Sequence, residues 1–74
     1  MKAVWHKGKS KHHAGYLSVL GQRLIFFSVK DSIELEMNNV RLIELDSKGI
    51  KISGYINKPK KQFVEYYFEL PNEN

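Results

Sequence analysis

Apolar and polar residues alternate with a period of two through most of this chain, and glycine, asparagine, aspartate or proline interrupts the alternation about every ten residues. Successive side chains of a strand point to opposite faces, so the alternation describes strands with one buried face and the interruptions describe turns. Leu17 and Val19 oppose Tyr16, Ser18 and Leu20 in the stretch Gly15 to Leu20, and Gly21-Gln22 follows as a tight turn. Arg23 to Val29 is rich in aromatic and β-branched residues, and Lys30-Asp31-Ser32 turns the chain again. Ile33, Leu35 and Met37 then alternate with Ser32, Glu34 and Glu36, a half-buried strand. Asn38-Asn39 predicts a bend, because asparagine side chains satisfy turn backbones. Val40 to Asp46 resumes with a change of phase between Val40, Leu42 and Ile43, Leu45. After the Ser47-Lys48-Gly49 turn come Ile50, Ile52 and Tyr55, then a proline-marked basic loop, Asn57 to Lys61. In the last strand, Gln62 to Leu70, Val64, Tyr66, Phe68 and Leu70 point inward while Glu65, Tyr67 and Glu69 point outward. The result is about six strands joined by short turns and no helix: an all-β antiparallel meander, curved into a small barrel or a curved sheet.

With 74 residues there is room for one domain. A chain of this size buries only about 60–65% of the surface its unfolded form exposes, so the core is thin. It contains no cysteine, which excludes disulfides, thiolate metal sites and a cysteine nucleophile. No apolar run approaches the roughly 20 residues of a membrane-spanning helix. No apolar stretch follows Lys2 to make a secretory signal, so a cytoplasmic location is expected, peripheral at the membrane if lipid is the ligand.

The charge is uneven. Residues 1–13 carry Lys2, Lys7, Lys9 and Lys11 and all three histidines, His6, His12 and His13, with no acid, and residues 14–74 carry eight basic and eight acidic side chains. The polar, aperiodic run from His6 to His13 reads as a loop or mobile arm, with Val4 and Trp5 as a short strand before it. The division expected is a basic N-terminal arm, 1–13, on a single β domain, 14–74.

The segment Gly15-Tyr16-Leu17-Ser18-Val19-Leu20-Gly21-Gln22-Arg23-Leu24-Ile25-Phe26-Phe27 resembles the opening hairpin of GRAM and bacterial pleckstrin-homology-like (PH-like) domains, and Ser32 to Val40 resembles their third strand and its bend. Arg41 to Glu44, Gly49 to Ser53 and Tyr66 to Leu70 fall where the later strands of such a domain are expected. The resemblance implies a PH/GRAM-like barrel that binds lipid headgroups or proteins and does no catalysis. Those families usually close one barrel end with a C-terminal helix. Here the sequence given ends soon after the last strand, so the short form expected leaves an apolar mouth for the Trp5 arm, a second copy or another protein to cover.

Candidate chemistry is sparse. Lys7, Lys9 and Lys11, with Lys58, Lys60 and Lys61, would form a positive surface for a phosphoinositide headgroup, an anionic membrane or nucleic acid if the two groups met in space. Trp5, Tyr55 and Tyr67 are candidates for stacking or interface contacts. Three histidines invite a metal, but adjacent histidines on a loop seldom close a site, and they suit a pH-dependent addition to the positive charge better. Glu34 with Glu36, and Glu65 with Glu69, have the spacing of any solvent-facing strand rather than of an acid–base pair. Lys7-Gly8-Lys9-Ser10 lacks the first glycine of a nucleotide-binding phosphate loop. The expectation is therefore a non-catalytic binding module, without cofactor or metal, for a protein partner or an anionic lipid headgroup. The alternatives are a complex subunit or phage-type inhibitor acting through protein–protein contact, homodimerisation included, and a small β-barrel nucleic-acid binder.

Overall fold

The computed structural model describes residues 1–57 and 59–71. Seven strands occur among them: β1 (Lys2–His6), β2 (His12–Leu20), β3 (Arg23–Ser28), β4 (Ser32–Glu36), β5 (Val40–Leu45), β6 (Gly49–Ile56) and β7 (Gln62–Glu69), with one 3-10 turn, Met37–Asn39, between β4 and β5. They form a single sheet in the order β4-β3-β2-β1-β7-β6-β5, every neighbouring pair antiparallel. The all-β antiparallel expectation holds, with seven strands in place of about six, and of the two forms expected the chain takes the curved sheet, not closed into a barrel.

The additional strand is β1. Residues expected as an arm are the middle of the sheet: Lys2 to His6 pair with Tyr16 to His12 on one side, and Val4 to His6 pair with Glu69 to Tyr67 on the other. Only the five residues Lys7 to Lys11 form a loop, closed by a hydrogen bond from Lys7 N–H to the Lys11 carbonyl. The first and last strands are thus neighbours, and the sheet divides into β1–β4 on one side of this seam and β5–β7 on the other.

Strand twist accumulates along the sheet and curls it until β4 touches β6, although β4 and β5 remain unpaired edges. The 3-10 turn carries the chain across this gap and lies directly on Gly54, where any side chain would collide with the Asn39 carbonyl oxygen. The concave face holds the core. Ala3, Leu17, Leu24, Phe26, Ile33, Leu35, Ile52 and Phe68 are buried there, with the Phe26 and Phe68 rings 5.2 Å apart at its centre. Trp5, Ile50, Ile56, Tyr66 and Leu70 extend this cluster. The alternation read for β7 is therefore correct for Tyr66, Phe68 and Leu70. The phase change read at Val40–Leu42 is a β-bulge: Val40 pairs with Gly54 and Leu42 with Ser53, leaving Arg41 without a partner.

Candidate functional site

Within β1–β4, antiparallel pairing puts the β1–β2 loop (7–11) and the β3–β4 turn (29–31) at one end and the β2–β3 turn (21–22) at the other. Because β7 runs antiparallel to β1, its start and the β6–β7 loop (57–61) lie beyond His6, on the side of the β1–β2 loop, and the β5–β6 turn (46–48) lies at the opposite end of β7. Along β7, Gln62 is five residues from Tyr67, the partner of His6, a rise of roughly 17 Å at about 3.4 Å per residue. Lys7, Lys9 and Lys11 thus stand on the β1–β4 side of the seam and Lys60 and Lys61 on the β5–β7 side; Lys58 lies outside the described residues.

At the first end, the β1–β2 loop is held against the β3–β4 turn by one acid. Asp31 forms an ion pair with Lys7 Nζ at 3.8 Å and lies 3.1 Å from His13 Nδ1. The turn itself is fixed by Ser28, whose N–H donates to the Asp31 carbonyl at 2.8 Å and whose Oγ takes the Asp31 N–H at 3.1 Å. Lys30 and a fully exposed Val29 (102%) stand at its apex. A pocket of about 230 Å³ opens between the two loops, lined by His12, His13, Ala14, Ser28, Val29 and Lys30. His6 faces Glu69 at 3.0 Å, and its ring lies 4.2 Å from that of His12. Despite this gathering of imidazoles, no three His, Asp or Glu side chains among the described residues stand where one metal ion could bind them together.

On β7, the ring of Tyr67, a candidate for stacking, meets His6 edge-on at 5.2 Å and its hydroxyl donates to Asp46 Oδ1 at 3.3 Å. Asp46 also accepts the N–H groups of Lys48 (2.8 Å) and Gly49 (2.7 Å). These two backbone donors, more than the tyrosine, hold its carboxyl below the ordinary carboxylate value. Desolvation, with the neighbouring Asp46 charge, raises the Tyr67 phenol, and burial raises that of Tyr66.

Trp5 points into the concave face between His13 (5.7 Å), Phe26 (6.1 Å) and Tyr66 (6.0 Å), with Lys7 Nζ 5.6 Å from its ring centre. It lies on the floor of the larger cavity, about 620 Å³, which runs along the gap between β4 and β6 and is edged by Glu34, Glu36 and Arg23. Arg23 is paired with Glu34 at 2.8 Å.

On the β5–β7 side of the seam, Tyr55 is half-buried and flanked by two cations, Lys61 at 5.0 Å and Arg41 at 5.4 Å from its ring centre. Phe63, opposite it in register, is 51% exposed. Arg41 and Phe63 escaped the sequence reading, as did Val29 and Lys30 at the first end. The only local signal was the change of phase at residues 40–42.

No family model, no curated protein and no solved structure matches the chain. Among the described residues no helix is long and apolar enough to cross a membrane.

Proposed function

We propose that this chain is a non-catalytic binding module that engages the phosphate-bearing headgroups of an anionic membrane through the end formed by the β1–β2 loop and the β3–β4 turn. One observation carries the reading: Lys7, Lys9, Lys11 and Lys30 share that end with an apolar residue, Val29, exposed at its apex. Exposed lysines attract an anionic surface within about 10 Å at moderate salt, each contributing about 1 kcal/mol close to the lipid. The apolar apex adds a short insertion into the interface. Asp31 lowers the net positive charge of this end, but it also holds the two loops in one arrangement. The resemblance to GRAM and bacterial PH-like domains implies the same class of ligand.

Vesicle co-sedimentation tests this. The protein should sediment with vesicles of phosphatidylcholine containing phosphatidylserine, not with phosphatidylcholine alone, and rising salt should release it. Replacing Lys7, Lys9 and Lys11 with glutamine should abolish sedimentation; retained binding by that variant would remove this end as the site.

A second reading, a protein segment lying along the gap between β4 and β6, is favoured by the 620 Å³ cavity with Trp5 and Tyr66 in its lining and an unpaired β4 edge beside it. Contact there would rest on these rings and on main-chain pairing along β4 rather than on lysine charge, so its hallmark is binding that salt weakens far less than headgroup binding.

A further inference from the structure

The β-bulge in β5 aims a side chain. Two residues of β5 span one step of β6, and the extra residue, Arg41, turns its guanidinium back over the sheet. Its Nη1 donates to the Asn38 carbonyl at 2.8 Å and to its own neighbour Val40 at 3.3 Å, and its Cζ comes 5.4 Å from the centre of the Tyr55 ring. Lys61 Nζ sits 5.0 Å from the same centre. Tyr55 and Phe63 are cross-strand partners on the convex face, their rings 5.4 Å apart and steeply inclined. Two cations are therefore held at one tyrosine, next to an exposed phenyl ring, with Lys60 on the adjoining loop.

Neither Arg41 nor Lys60 nor Lys61 pairs with a carboxylate among the described residues, whereas Glu34 and Glu44 are taken by Arg23 and Lys51. Attraction to the tyrosine face offsets part of the repulsion between two neighbouring cations, but a ligand with negative charge would offset more. Such a ligand must also suit the open phenyl ring of Phe63, which favours a flat unsaturated group. We propose that this surface binds single-stranded nucleic acid, an unpaired base stacking on Phe63 and the flanking phosphates meeting Arg41, Lys61 and Lys60. The chemistry required is a planar base joined to a phosphodiester within a few ångströms, which an unpaired strand supplies and a lipid headgroup does not. The site is built on β5, β6 and β7, across the seam from the β1–β4 residues of the headgroup site, and does not depend on it.

The test is fluorescence anisotropy with a labelled oligouridine and a labelled oligothymidine at low salt, far-UV circular dichroism confirming that each variant is folded. Wild-type protein should bind both, with affinity falling as salt rises. Phe63→Ala should weaken binding about tenfold through lost stacking. Arg41→Gln combined with Lys61→Gln should weaken it at least as much and flatten the salt dependence, since fewer counterions are released. Lys7→Gln with Lys9→Gln and Lys11→Gln should bind as wild type. Failure of the wild-type protein to bind either oligonucleotide overturns the proposal. So does equal binding of the Phe63→Ala variant, equal affinity for a duplex of the same length, or loss of binding confined to the Lys7, Lys9 and Lys11 variant.

Discussion

Asp46 shows how one side chain closes a turn. Its carboxylate accepts the Lys48 and Gly49 N–H groups and the Tyr67 hydroxyl, while its own N–H donates to the Gly49 carbonyl at 3.0 Å, so β5 and β6 are joined by a turn whose donors are used. The ionised form makes these bonds, which places its folded-state value below the ordinary 3.8. A carboxyl depressed in the folded state contributes stability that is fully present above its unfolded value and is lost as pH falls through the folded one. Urea melts of wild type and Asp46→Ala should therefore differ most at neutral pH and converge as pH drops below about 4. A difference that persists unchanged well below that pH would mean that the turn is held by backbone geometry alone.

At the scale of elements, the seam between β1 and β7 decides the architecture. β1 and β7 are the two strands whose neighbours on either side are far apart in sequence, and in β1 Trp5 lies against both His13 and Phe68 in register. Ala3 and Trp5 from this strand enter the core. Deleting residues 1–6 should therefore abolish cooperative thermal unfolding, as followed by circular dichroism, where loss of a detached arm would leave the melting curve unchanged. The sequence could be read as strands wherever the alternation was local, which is why β2, β3, β4 and β7 emerge as strands and Ile33, Leu35, Tyr66 and Phe68 with their inward faces correct. Of β1 only Val4 and Trp5 emerged as a short strand and its place in mid-sheet did not, because Lys2-Ala3-Val4-Trp5-His6 is short, its core residue Ala3 is small, and its pairing with β7 spans more than sixty residues, a contact with no local sequence signal. The same limit applies to the candidate sites. The lysines were visible as residues, but whether they meet depends on where the sheet places their loops. Arg41 needed the bulge, not its neighbours, to be seen over Tyr55.

For the molecule as a whole, an open sheet leaves two edges to be managed. β4 faces the gap toward β6, and Glu34 and Glu36 discourage another strand from approaching it. β5 has no such protection: its residues after Val40 are all exposed, including Leu42, Ile43 and Leu45, the last at 75%. An exposed apolar edge is a template for a further strand. The Arg41 bulge blunts only its beginning, so Ile43 to Leu45 are the residues free to pair. A second copy offers the same segment in the antiparallel sense, joining two sheets edge to edge about a two-fold axis. Light scattering coupled to size exclusion should show the mass rising toward a dimer with concentration, and Leu45→Lys should return it to the monomer at every concentration. Both sites proposed above lie away from this stretch of edge, one at the β1–β2 loop and the other at the bulge, so the Leu45→Lys variant should keep wild-type binding to vesicles and to oligonucleotide. A wild-type protein that stays monomeric at the highest concentration would show that the bulge and the short length of β5 suffice to protect the edge.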